Sequence, residues 1–127
     1  MNKKIIETDQ APAAIGPYSQ AVVMDGAVYV SGQIPLDPVS GEVVEGGLFG
    51  QTKQVLENVK AVVEAAGGEM SSVVKVTIYL TDMSQFATVN EIYGTYFSAP
   101  FPARACVEVS ALPKGVEVEM DAVAYLS

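Results

Sequence analysis

The residues of this chain best equipped for chemistry are one arginine, one cysteine and the carboxylates close behind them. Arg104 is the sole arginine, and Cys106, two positions on, is the sole cysteine. Both lie in Phe101-Pro-Ala-Arg-Ala-Cys-Val-Glu-Val-Ser, which after Ala-Leu-Pro-Lys-Gly continues into Val116-Glu-Val-Glu-Met-Asp-Ala-Val. Apolar and polar residues alternate on both sides of the Pro/Gly break, so each half reads as a strand. Ala103, Ala105, Val107 and Val109 share one face of the first strand, with Arg104, Cys106, Glu108 and Ser110 on the other. In the second, Val116, Val118, Met120, Ala122 and Ala124 stand against Glu117, Glu119, Asp121 and Tyr125. Folded back antiparallel around Leu112–Pro113, the pair sets Cys106 opposite Glu119, with Arg104 one diagonal step away. The planar fork of arginine suits bidentate capture of a carboxylate. A glutamate beside it can serve as general base for a water. That is a hint of a small-anion site. The same alternation also describes an ordinary half-exposed strand pair with solvated charges, and a slip of one residue in register takes the three groups apart.

Several chemistries are excluded by missing residues. There is no histidine, which removes Ser-His and Cys-His nucleophile pairs and histidine zinc sites; a single cysteine does not replace them. No metal site is therefore expected. The net charge is −8 with seven basic residues, and no basic cluster exists to track phosphates, so nucleic acid is a poor candidate partner. Gly46-Gly47-Leu48-Phe49-Gly50 lacks the lysine and the spacing of a phosphate loop. No apolar run reaches membrane-spanning length, and Lys3 and Lys4 are not followed by a stretch long enough for a signal peptide. With one cysteine and no sign of secretion, the expected location is the cytoplasm. At 127 residues a single domain over 1–127 is expected.

The elements that must position Arg104, Cys106 and Glu119 follow from periodicity. Lys3–Glu7 suits a short strand, and Ala11–Pro17 an extended loop that delivers Tyr18 to the next strand. Ser19–Met24 and Ala27–Ser31 flank Asp25-Gly26, a strong hairpin signal. Residues 32–50 are rich in Gly and Pro and read as a long loop with a turn at Asp37–Gly41. Val55, Leu56, Val59, Val62, Val63 and Ala66 give one helical stripe, stopped by Gly67-Gly68. Val73–Leu80 reads as a strand with Val74, Val76, Ile78 and Leu80 on one face. Asp82 or Ser84 can cap a second helix with Phe86, Val89, Tyr93, Tyr96 and Phe97 as its apolar face. That aromatic stripe reads as core. The order β-β-β-α-β-α-β-β predicts an α+β fold: a mixed sheet with two helices on one face. The other face is then expected to carry Tyr29, Ser31, Thr77, Tyr79, Arg104, Cys106, Val123 and Tyr125, a mixture suited to a subunit interface.

Taken together, these segments resemble the RidA family of reactive intermediate deaminases, also called YjgF or L-PSP proteins. The resemblance runs over essentially the whole chain. It rests on Ala11-Pro-Ala-Ala-Ile-Gly-Pro-Tyr-Ser-Gln, Val30-Ser-Gly-Gln-Ile-Pro, Asn58-Val-Lys-Ala-Val-Val-Glu-Ala-Ala-Gly, Phe86-Ala-Thr-Val-Asn and the Phe101-Pro-Ala-Arg segment with its continuation. It implies a chorismate-mutase-like fold with a six-stranded sheet, assembled as a homotrimer with clefts between subunits. It implies hydrolysis of 2-iminobutanoate, 2-iminopropanoate and their enamines, released by PLP enzymes, to 2-oxo acids and ammonia, with no cofactor. Arg104 would hold the substrate carboxylate and Glu119 would activate water. By the same resemblance Tyr18, Ser31, Gly32 and Asn90 line the cleft. Cys106 sits there as well, and with no histidine to activate it and a water route available, lining is favoured over covalent catalysis. Two other readings remain: a trimeric module that binds small carboxylates without turnover, and the endoribonuclease or translation-inhibitor activity attached to some relatives.

Overall fold

The computed structural model describes residues 2–127. Its strands are β1 (Lys4–Ile6), β2 (Ala21–Met24), β3 (Ala27–Gln33), β4 (Val73–Leu80), β5 (Ala103–Glu108) and β6 (Val118–Tyr125), and its helices are α1 (Gly47–Ala65) and α2 (Phe86–Tyr93). They form one six-stranded mixed sheet in the order β1-β2-β3-β6-β4-β5. The β2–β3 hairpin turns at Asp25 and Gly26, with φ of 52° and 82°. Two successive positive φ values make the tight turn whose twist matches a two-stranded ribbon.

The element order is the one the periodicity predicts, but the partners of the last two strands are not. β5 and β6 are not a hairpin. β5 pairs parallel with β4, in register Val76↔Arg104 and Ile78↔Cys106, and β6 pairs antiparallel with β4, in register Tyr79↔Glu119. The other neighbour of β6 is β3. The reason is burial. Val118, Met120, Ala122 and Ala124 are all at most 2% exposed, so β6 takes a central position, where both edges are paired. β5 has no fully buried residue and takes the edge, reached from β4 through α2 as a parallel crossover requires.

Because paired residues point to the same side of a sheet, this register also reverses the faces of β5. Arg104 and Cys106 lie on the side of Val76 and Ile78, towards the helices. Ala103, Ala105 and Val107 lie with Lys75, Thr77 and Tyr79 on the open side. The open face thus carries Tyr29, Thr77, Tyr79, Val123 and Tyr125 as anticipated, but not Arg104 or Cys106.

The core lies between the helices and the sheet. From α1 it takes Val55, Leu56, Val59, Val62 and Val63, all at most 1% exposed, each contributing about 1.5–3 kcal/mol by leaving water. Three smaller departures have local causes. A bulge between Val73 and Lys75 sends Val73 into the core and leaves Val74 44% exposed. Helix α1 already starts at Gly47, inside the glycine-rich segment. Helix α2 ends at Tyr93, so Tyr96 and Phe97 lie beyond it, although Phe97 is buried with its ring 4.6 Å from that of Tyr93.

Candidate functional site

Arg104 projects from the edge strand towards α2. Phe86, Asn90 and Tyr93 fall at i, i+4 and i+7, one face of that helix. The Arg104 Nη1 donates to Asn90 Oδ1 at 2.7 Å. Its guanidinium carbon lies 5.1 Å from the Phe86 ring centroid and 4.9 Å from that of Tyr93, within cation–π range. Arg104, Asn90, Tyr93, Gly94, Phe101 and Pro102 line a cleft of about 510 Å³. The guanidinium is therefore fixed by a neutral amide and two ring faces rather than by a carboxylate. Its positive charge stays available to an anion.

Cys106 lies on the same side of β5, its Sγ 3.9 Å from Met83 Sδ. Burial pushes its thiol pKa up, and Arg104 offsets this only in part. A protonated, half-buried thiol is a weak nucleophile. The adjacent Glu108 accepts from the Met83 backbone N–H at 2.7 Å, tying β5 to the turn that precedes α2.

The other site candidates gather on the opposite side of the sheet. Glu119, on β6, reaches the bulge in β3, where a Cβ on Gly32 would overlap its Oε2 and stand 3.0 Å from its Cδ. Burial raises the Glu119 pKa, and the charge of Asp121 raises it further. Asp121 accepts from the Tyr79 hydroxyl at 2.8 Å; this bond, with burial, pushes the Tyr79 hydroxyl up to about 12. Ser31 donates through Oγ to the Ser19 carbonyl at 2.5 Å and through its backbone N–H to the Gln20 carbonyl at 2.9 Å. This holds the segment that carries Tyr18, whose side chain is 54% exposed. Gln20 is buried and anchors the preceding loop, accepting from the Thr8 N–H at 2.7 Å and donating to the Pro12 carbonyl at 2.8 Å.

The structure thus brings Arg104 together with Asn90 on the helix side, with Cys106 beside them on β5. It brings Glu119 together with Gly32, and Ser31 with the Tyr18 segment, on the other side. Within one chain it does not bring Arg104 and Glu119 together. Sequence reasoning missed Phe86 and Tyr93 as neighbours of Arg104, and Tyr79 as the cross-strand neighbour of Glu119, whereas the alternation already sets Asp121 on the Glu119 face. The available signal was an asparagine set into an aromatic helical stripe, one face offering both rings and an amide.

The sequence matches the family described as Endoribonuclease L-PSP over residues 8–126. It is 53% identical over 122 residues to the 2-iminobutanoate/2-iminopropanoate deaminase of Mus musculus, covering 96% of this chain and 90% of that one. A crystal structure of a putative endoribonuclease from Thermotoga maritima is similar with a TM-score of 0.95 at 51% identity, covering 98% of each chain. The structure of E. coli TdcF with bound serine is similar with a TM-score of 0.93 at 46% identity, covering 98% of this chain and 99% of that one. The chain belongs to the L-PSP family, known also as RidA or YjgF.

Proposed function

We propose that this protein is a 2-iminobutanoate/2-iminopropanoate deaminase that acts without a cofactor at clefts between the subunits of a cytoplasmic homotrimer. The observation that carries the reading is Arg104, the sole arginine, held on a cleft wall by Asn90, Phe86 and Tyr93 with no carboxylate among the described residues as its hydrogen-bonding partner. Of the five donors of a guanidinium, a substrate carboxylate takes two in a bidentate pair, which orients the C2 imine carbon. Glu119 takes a proton from water as the water oxygen bonds to C2. The C=N π pair moves to nitrogen, which takes that proton back from Glu119. The new C2 hydroxyl then passes its own proton through Glu119 to the amine. As the carbonyl forms, the C–N bond breaks, releasing ammonia and leaving a 2-oxo acid. Burial and the Asp121 charge raise the Glu119 pKa, which makes its carboxylate a stronger base for the water proton.

Arg104 and Glu119 face opposite sides of the sheet in one chain, so a site holding both draws them from two copies. The open sheet face supports association, since Tyr29, Val107 and Tyr125 are 53%, 42% and 55% exposed there, an apolar surface suited to burial against a partner. Tyr18, Ser31 and Gly32 then line the cleft from the Glu119 side, with Asn90 and Cys106 on the Arg104 side.

A second reading, carboxylate binding without turnover, is favoured by the TdcF structure, which holds serine. The test is ammonia release from 2-iminobutanoate made in situ by a threonine dehydratase. Wild type accelerates it, Arg104→Ala loses both acceleration and binding, and Glu119→Gln loses acceleration but keeps 2-oxobutanoate binding. No acceleration by wild type, with binding retained, leaves the binding module. An endoribonuclease is disfavoured by the charge of −8; salt-sensitive RNA binding would be needed to revive it.

A further inference from the structure

We propose that Phe86 and Tyr93 of α2 are positioning residues for Arg104: their ring faces, with the Asn90 amide, preset the guanidinium plane and thereby set affinity for the substrate carboxylate. This rests on the reading of Arg104 as the carboxylate clamp.

An arginine on an exposed edge strand is a long, flexible cation, and holding its plane before the anion arrives lowers the ordering cost of a bidentate pair. Two rings and an amide supply three restraints here. The guanidinium carbon is 5.1 Å and 4.9 Å from the two ring centroids, and one nitrogen is bonded to Asn90. All three restraints come from one helix face. The platform beneath is buried and packed: Tyr93 is 5% exposed, and its ring lies against that of Phe97.

The hydroxyl of Tyr93 separates this role from simpler ones. It is buried and has no hydrogen-bond partner among the described residues. A tyrosine kept for its hydroxyl would show it bonded. What Tyr93 presents to Arg104 is the face of the ring. Removing the oxygen should therefore cost nothing, whereas removing the π-face at similar apolar volume should loosen the guanidinium.

Since Arg104 is the sole arginine, its Nε–Hε group gives a single arginine side-chain resonance in a ¹⁵N–¹H spectrum. The experiment records that resonance together with 2-oxobutanoate affinity by calorimetry and 2-iminobutanoate kinetics. It compares wild type, Tyr93→Phe, Tyr93→Leu and Phe86→Leu, each checked for folding by circular dichroism. The expected result is a ring-shifted resonance in wild type and Tyr93→Phe, with unchanged affinity. Each leucine variant moves the resonance towards the free-arginine position and weakens binding about tenfold, raising KM with much less effect on kcat. Folded leucine variants that bind as wild type overturn the proposal, as does a Tyr93→Phe that binds as poorly as Tyr93→Leu. If leucine variants fail to fold, an unshifted wild-type resonance overturns it instead. Binding equal in wild type and Arg104→Ala sinks the clamp reading itself, a result distinct from any of these.

Discussion

At the scale of single residues, the tightest constraint on the candidate chemistry is the contact of Gly32 with Glu119. The glycine is needed for space, because a Cβ there meets the Glu119 carboxylate directly. The carboxylate is the far end of a flexible side chain, so it would swing aside and leave the strand in place. Gly32→Ala is therefore expected to lower kcat/KM for imine hydrolysis about a hundredfold, the usual penalty for a catalytic group misplaced by around 1 Å, with little change in the thermal midpoint. Steady-state kinetics and a melting curve check both halves. At this scale the candidate residues were legible. A lone arginine, a lone cysteine and a strand of alternating carboxylates stand out in the composition, and the family resemblance added Tyr18, Ser31, Gly32 and Asn90. The supports were not. Phe86 and Tyr93 sit in a stripe that reads as core, and nothing local says that their ring faces meet a guanidinium from a strand ten residues further on.

At the scale of elements, the segment after β3 is secured by one buried side chain. Asn58, fully buried in α1, donates through Nδ2 to the Ile34 and Leu36 carbonyls at 3.2 Å and 3.1 Å and accepts from Gln54 Nε2 at 2.8 Å. This glycine- and proline-rich segment is thus hydrogen-bonded to the helix beside it and does not simply wander over the surface. Asn58→Ala should destabilise the protein by about 2–3 kcal/mol, since both carbonyls lose their donor; urea unfolding measures this. Helices and strands were legible here because their apolar periods are clean. The pairing of β5 was not, because alternation at 103–110 and 116–125 fits a hairpin as well as it fits two strands with a third between them. What decides is the competition for the centre of the sheet, which Val118, Met120, Ala122 and Ala124 win by burial. The face of β5 followed the same error. Its small apolar residues seemed destined for the core, yet α2 presents Asn90 and two ring faces where the edge strand passes, and a cation is better received there than an alanine.

At the scale of the whole molecule, the separation of Arg104 from Glu119 by the thickness of a sheet has a genetic consequence. If each cleft takes its cation from one subunit and its base from the next, the two roles can be lost on different chains and regained by mixing. Arg104→Ala and Glu119→Gln are each expected to be inactive trimers. Coexpressed, or unfolded and refolded together, they should recover measurable deaminase activity, because a mixed trimer contains one junction where an intact Arg104 meets an intact Glu119. Sedimentation should give a mass three times that of the chain for every variant. No recovery from well-mixed trimers would mean that both groups come from one subunit. Two defective alleles in one cell would then fail to rescue each other, whereas the two-sided sheet of this chain predicts that they complement.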